Sequence, residues 1–271
     1  MGFKITRGVT LFIYAIIIIV PVMVVLFGSM KTMSELFENP FGLPSSWNVQ
    51  NYVSVLTEYD LGTAFINSGI VTLSSVFLTL LFGSMAAYGI SRLTGWRSWL
   101  IFGFLVLGMS IPAQVSMIPQ YVLFDNLGLL NSLTGLIIIN VATGLPVSAF
   151  IMGGFMKTLP HELFESASVD GVGPARAYYR IAIPLSLPSI AAAAIFLFVI
   201  QWNELLFPLL FIQSPDKRTL PLQLLTFQGE FLTNYPLLFT GVAVATVPIT
   251  ILYVLLQRYF IEGMTAGAVK G

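Results

Sequence analysis

Six long apolar stretches constrain this chain more than anything else in it. They cover about 9–30, 63–92, 98–119, 133–156, 185–212 and 237–260. A helix needs roughly 20 apolar residues to cross the hydrocarbon core of a bilayer. Lipid offers no partner to a backbone N–H or C=O, so an open chain crosses it only as helices. The expected fold is therefore an all-α integral membrane protein with six transmembrane helices, forming one membrane domain over residues 1–271. Composition agrees: 56% of residues are hydrophobic and 9% charged, with a mean hydropathy of +0.89. Soluble domains carry about 25% charged residues, and this chain could not cover its surface in water.

The same numbers exclude several functions. A formal net charge of +0 provides no field for nucleic acid. With no cysteine and one histidine, disulfides and a zinc centre are out of reach, and no metal or cofactor is expected on this chain. No H-E-x-x-H or G-x-S-x-G pattern occurs, so no catalytic residue is assigned and the chain is expected to be no enzyme. No G-x-x-x-x-G-K-[ST] loop occurs either, so any ATP chemistry has to come from another protein.

Charge sets the expected orientation. The first stretch is too long for a signal-peptide core and reads as an uncleaved anchor. With the N-terminus inside, the cytoplasmic segments hold Lys4, Arg7, Arg92, Arg97, Lys157, Arg176, Arg180, Arg258 and Lys270. The outer segments hold only Lys31, Lys217 and Arg218. This bias places both termini and the 157–184 loop in the cytoplasm. Five stretches contain a proline (Pro21, Pro112, Pro146, Pro208 and Pro248), each removing one helix hydrogen bond. Neighbouring helices can absorb such kinks; bent helices can also line a path and rock between states.

The 157–184 loop is the largest polar interruption. Pro160 suits the start of a helix, and Glu162 and Glu165 favour its positive end. Leu163 and Ala167 lie four apart, on one face. Asp170-Gly171 ends the run, glycine being the residue that closes helices at positive φ. Gly173-Pro174 restarts a helix carrying Arg176 and Arg180 four apart. Two readings stand: an amphipathic segment lying on lipid headgroups, or a docking element on which the small Ala167 lets a partner's backbone approach. The acidic first helix favours docking.

On these residues the chain resembles a known family. Glu165-Ser166-Ala167, then Asp170-Gly171, then Ile181-Ala182-Ile183-Pro184 is similar to the EAA signature of binding-protein-dependent ABC importer permeases, with Ser166 and Ile183 as small departures. Ile111-Pro112-Ala113-Gln114, Leu127 to Ser132, Trp202 to Pro208 and the tail Gln257 to Gly271 resemble the carbohydrate branch, and the tail resembles the second permease subunit of maltose-type systems. The resemblance implies a type I ABC importer permease fold with a cytoplasmic coupling helix. It also implies partners: a second permease subunit in a heterodimeric pore, two copies of a P-loop ATPase that uses ATP and Mg, and an extracytoplasmic substrate-binding protein. The ATPase-coupling residues it implies are Glu165, Ser166, Ala167, Asp170, Gly171, Ile181 and Pro184. Gly263, Thr265, Gly267 and Lys270 would belong to a tail, 261–271, that reaches the ATPase. Amino-acid or peptide import, and ion-coupled secondary transport, are the alternatives.

A candidate transport path lies in the fifth stretch. Gln201, Trp202, Asn203 and Glu204 combine hydrogen-bonding groups with an aromatic face, as a sugar requires. Glu204 is the one acid placed within an apolar stretch, and such residues usually face a bundle interior or water. Gln201 and Glu204 are three apart, so they project from the same side. The competing reading is a polar clamp between helices. Gln114, beside Pro112, is a second candidate.

Overall fold

The computed structural model describes residues 2–228 and 233–268, with side chains for 4–228 and 233–257. Its elements in chain order are α1 (Gly2–Gly28), α2 (Met33–Glu38), α3 (Gln50–Thr57), α4 (Leu61–Arg92), α5 (Trp96–Ser110), α6 (Met117–Asn126) and α7 (Leu133–Met156). There follow α8 (His161–Val169), α9 (Pro174–Ala177), a π turn (Tyr178–Ala182), α10 (Ile183–Leu185), α11 (Leu187–Trp202), α12 (Leu206–Phe211), α13 (Leu220–Leu224) and α14 (Tyr235–Ala268). Among the described residues, four helices are long and apolar enough to span a membrane: Lys4–Gly28, Leu61–Arg92, Leu133–Met156 and Tyr235–Gln257. Two bent pairs bring the count to the expected six.

The bends correct two expected spans. The third, 98–119, is not one helix. It stops at Ser110, passes through a 3-10 turn (Ala113–Ser116) and continues in α6 at 85° to its first half. Ile111 adopts φ −86, ψ 114, the extended conformation that a following proline imposes. Pro112 thus lies outside any helix instead of kinking one. The fifth span, 185–212, breaks twice. Ser186 separates the segment Pro174–Leu185 from α11 with a 76° bend, and residues 203–205 separate α11 from α12. Sixteen residues of α11 rise about 24 Å, and α12 supplies the remainder. By contrast α7 spans 133–156 as expected, and Pro21, Pro146 and Pro248 lie inside continuous helices.

By contacts the chain forms two compact units, Met1–Ile66 with Arg218–Pro248, and Asn67–Lys217 with Ile249–Gly271. The first unit is built around the end of α1. Lys31 is 0% exposed, and its ammonium donates to the carbonyls of Asn39 and Gly42, both at 2.7 Å. Asn51 Nδ2 donates to the carbonyls of Ser29 (2.8 Å) and Lys31 (3.0 Å), and Thr240 Oγ1 donates to the Ser29 carbonyl (3.0 Å). The Ser45 backbone N–H donates to the exposed Glu35 carboxylate and holds that carboxyl below its ordinary range, with smaller help from Lys31 and Thr32.

The second unit is organised on α7. Asn140, Gly144, Ser148, Met152 and Met156 recur every fourth residue and are all buried, so they form one stripe. A Cβ on Gly83 of α4 would fall 2.2 Å from Ser148 Oγ; small residues let these backbones close up, as membrane helices favour. Ala87, Met152, Met156 and Ala193 form the adjoining apolar core. The start of α7 is fixed by Ser132, whose hydroxyl accepts from Gly135 N–H at 3.0 Å. Before it, Asn131 sits at φ 49, a left-handed conformation that asparagine tolerates. Its amide oxygen accepts from the backbone of Gln213 and Ser214, and its carbonyl accepts from Lys217 Nζ at 2.9 Å.

Candidate functional site

The polar loop folds as a helical hairpin. Pro160 is the N-cap of α8, one residue earlier than a first-turn position, and Glu162 lies in the first turn. At the other end Gly171 has φ +76. Its N–H donates to the Ser168 carbonyl (3.1 Å) and the Val172 N–H to the Ala167 carbonyl (2.8 Å). These paired bonds form a Schellman closure, which requires the left-handed residue found there. A Cβ at Gly171 would meet no atom of this chain within 4 Å, so the constraint is conformational, not steric. Gly173 and Pro174 then begin α9 as the spacing predicts.

The faces of α8 are unequal. Ala167 is 8% exposed and turned into its own chain, which corrects the expectation that its small side chain is offered to a partner. The outward face instead carries Glu162, Leu163, Glu165, Ser166, Val169 and Asp170, all exposed, with Val169 88% exposed. Ser166 Oγ donates to the Glu162 carbonyl at 2.7 Å. An apolar valine standing clear of the hairpin among carboxylates is the feature sequence reasoning missed; its position two residues before the closing glycine was the available signal. On the return segment Arg176, Arg180 and Pro184 are exposed, Ile181 is half-buried, and Ile183 packs on the apolar core. The π turn here was not expected; such turns inside helices are often found at functional sites.

The hairpin is fastened to α4. The Arg92 guanidinium carbon lies 3.8 Å from the Phe164 ring centroid and 5.9 Å from that of Tyr88. The Tyr88 ring packs against Phe164 at 6.1 Å and Tyr178 at 5.5 Å. Its hydroxyl donates to the Pro174 carbonyl at 3.3 Å. The hydroxyls of Ser84 and the buried Tyr178 share a 2.7 Å hydrogen bond.

The fifth-stretch candidates are arranged differently from the expectation. Because α11 ends at Trp202, Gln201 and Glu204 do not sit on one continuous helix. Pro208 has no N–H to hold the Glu204 carbonyl, and the Glu204 side chain accepts from Leu206 N–H (2.7 Å) and Phe207 N–H (3.3 Å), capping α12. Asn203 Nδ2 donates back to the Val199 carbonyl at 2.8 Å, and Trp202 stacks on Phe198 at 5.6 Å. Gln201 Nε2 donates to the Asn140 carbonyl of α7 at 3.3 Å, while its Oε1 is buried without a partner. Asn203 is the one exposed member of the four. Gln114 is exposed in the 3-10 turn after Pro112, and nothing brings it to the other four. In the tail, Gly263, Thr265 and Gly267 fall within the backbone of α14, with their side chains outside the description. Lys270 lies outside the described residues.

These features define a polytopic, all-helical membrane protein with a structured polar hairpin, and with no cluster of histidine, cysteine or acid suited to a metal among the described residues. Residues 79–266 match the family described as the inner membrane component of binding-protein-dependent transport systems. The chain is 33% identical over 96% of its length to the diacetylchitobiose uptake system permease protein NgcG of Streptomyces coelicolor, covering 87% of that protein. It is 34% identical to the multiple sugar-binding transport system permease protein MsmG of Streptococcus mutans, covering 97% of this chain and 96% of that one. Its fold matches a chain from the crystal structure of a bacterial ABC transporter involved in alginate import, with a TM-score of 0.81, 22% identity and coverage of 95% and 96%. The chain belongs to the binding-protein-dependent permease family: it is a multi-pass inner membrane permease subunit with the ABC importer permease fold.

Proposed function

We propose that this chain is one half of the translocation pore of an ATP-driven importer for a sugar or oligosaccharide. In this reading it pairs with a second, different permease subunit. A substrate-binding protein delivers the solute from outside, and two ATPase subunits on the cytoplasmic face use ATP and Mg. The positive-inside count then puts both termini and the α8 hairpin in the cytoplasm. Sugar as cargo is supported by relatives whose names specify diacetylchitobiose and multiple-sugar transport.

The observation that carries the coupling reading is the α8 hairpin itself. A closed, glycine-terminated helix presents an exposed valine among Glu162, Glu165 and Asp170. An apolar side chain held clear of its own chain gains free energy when another surface removes it from water, and the surrounding acids supply a polar rim. Glu165, Ser166, Asp170 and Gly171 form the contact, Ala167 seats the helix on its own chain, and Ile181 and Pro184 carry the segment back to α11. The tail, including Gly263, Thr265, Gly267 and Lys270, is assigned a secondary contact with the ATPase. For the transport path, Asn203 is the residue with which the assignment stands or falls. Gln201, Trp202 and Glu204 are engaged within the chain, and Gln114 is separate from them.

The test is affinity purification of the tagged chain from native membranes, with mass spectrometry of its partners. A P-loop ATPase and a second permease are the expected companions, with loss of the ATPase alone from G171D the expected control. Isolation of the chain alone, with solute uptake driven by an ion gradient, would contradict the proposal.

A further inference from the structure

Ser84, Tyr88 and Arg92 are spaced by four, so they lie on one face of α4. All three meet the polar hairpin: Ser84 meets Tyr178, Tyr88 meets Phe164, Tyr178 and Pro174, and Arg92 meets Phe164. The contacts therefore grip both arms of the hairpin, on either side of the Gly171 turn. Above this grip, α4 is tied to α7 by close packing and polar groups. Ser148 Oγ donates to the Thr79 carbonyl at 3.3 Å, and Gly83 leaves room for no side chain against Ser148. A Cβ on Gly144 of α7 would fall 3.1 Å from Thr79 and 3.2 Å from Gln201 at the end of α11.

We propose that Arg92 and Tyr88 are positioning residues that make α4 the receiver of hairpin movement, so that α8 and the end of α4 move as one body. This rests on the reading of α8 as the ATPase contact. A guanidinium held over an aromatic face resists sliding without forming a rigid ion pair. Displacing α8 therefore drags Arg92, and a helix of 32 residues carries that displacement along the bundle. The exposed acids Glu162 and Glu165 remain free for the partner while the opposite face of α8 is held.

The test uses the complete importer, reconstituted in proteoliposomes with its own binding protein, measuring solute moved per ATP hydrolysed. R92A is expected to lower that ratio about fivefold or more, the scale of a typical coupling energy, while the ATPase still copurifies and hydrolyses ATP. R92K, which keeps a cation over the ring, is expected to recover most of it; a purely structural role would leave the ratio unchanged in every variant that assembles. Should R92A fail to assemble, Y88F carries the same test, because it removes only the hydroxyl that holds Pro174. An unchanged ratio in R92A and Y88F would overturn the proposal. V169D separates the two readings. If it releases the ATPase while R92A transports normally, the docking reading stands and the α4 attachment fails; if V169D keeps the ATPase and full transport, the docking reading itself fails.

Discussion

Two polar regions interrupt this apolar chain, and they use their polar groups in opposite ways. In the α8 hairpin the carboxylates of Glu162, Glu165 and Asp170 point outward, and the structural work is done by backbone, aromatic rings and a glycine at positive φ. At the end of α11 the polar side chains turn on their own chain: Glu204 caps α12, Asn203 bonds back to Val199, and Gln201 reaches α7. A polar residue in an apolar sequence thus has two uses, presentation to a partner or repair of a broken helix. The break at Asn203 to Leu205 leaves the first N–H groups of α12 without helical partners, and the Glu204 carboxylate accepts from two of them, whereas Gly171 closes α8 and leaves its acids exposed.

The contrast is broken most forcefully on the hairpin. If the proposed ATPase contact is made here, V169D should reduce transport about tenfold, because it places a charge where an apolar side chain would be covered, with helical content unchanged by circular dichroism. G171A sharpens this. The chain asks only for the left-handed conformation there, so G171A should cost about 1–2 kcal/mol of local stability, measured by hydrogen exchange at Asp170 to Val172. G171D should be far more severe in transport if a partner backbone lies against that turn. Equal transport in the two variants would remove the partner from the turn.

Next in size is Lys31, whose burial was invisible when it was counted as an outer-loop cation. K31M should destabilise the first unit by roughly 2–3 kcal/mol, because two carbonyls lose a charge-assisted bond. The check is thermal unfolding in detergent, where an unshifted midpoint would show the bonds to be dispensable. Smaller effects belong to the α11 end. E204A should cost about 1 kcal/mol as a lost cap, and Q201L about 0.6 kcal/mol, the average for a hydrogen bond between membrane helices. If N203A raises the KM for solute while E204A and Q201L change only stability, the internal role of those two side chains is separated from the path. The smallest effect is in acid. The folded-state pKa of Glu35 is lowered, so its contribution is present above the ordinary carboxylate pKa and is lost as pH falls through the folded value. Protection of the Ser45 amide against hydrogen exchange, taken relative to the intrinsic exchange rate at each pH, should therefore fall only below that ordinary range, and E35Q should remove that fall.

Much of this was legible in the sequence because it was local. Apolar length placed α4, α7 and α14, and the Pro160, Gly171 and Gly173-Pro174 signals placed the hairpin to within a residue. What was not legible depended on where a helix stops inside an apolar run. Hydropathy is blind to the breaks at Ile111 and at Asn203 to Leu205, since the residues on both sides are apolar. The projection of Gln201 with Glu204 failed for that reason. The inward turn of Ala167 was hidden too, because α8 is supported through Phe164 by Tyr88 of α4, far away in sequence. Yet the fourfold spacing of Ser84, Tyr88 and Arg92 was present to be read.

The central claim is that the α8 face is a covered interface in the working protein. The chain contains no cysteine, so V169C introduces a single reactive thiol at the most exposed point of the hairpin. The decisive measurement is the rate of maleimide labelling of V169C in the complete importer and in the same membranes stripped of ATPase. If the ATPase covers the α8 face, V169C is strongly protected in the complete importer and labels fast once the ATPase is removed, with N203C indifferent to it. Equal labelling of V169C in both preparations would show the face to be uncovered.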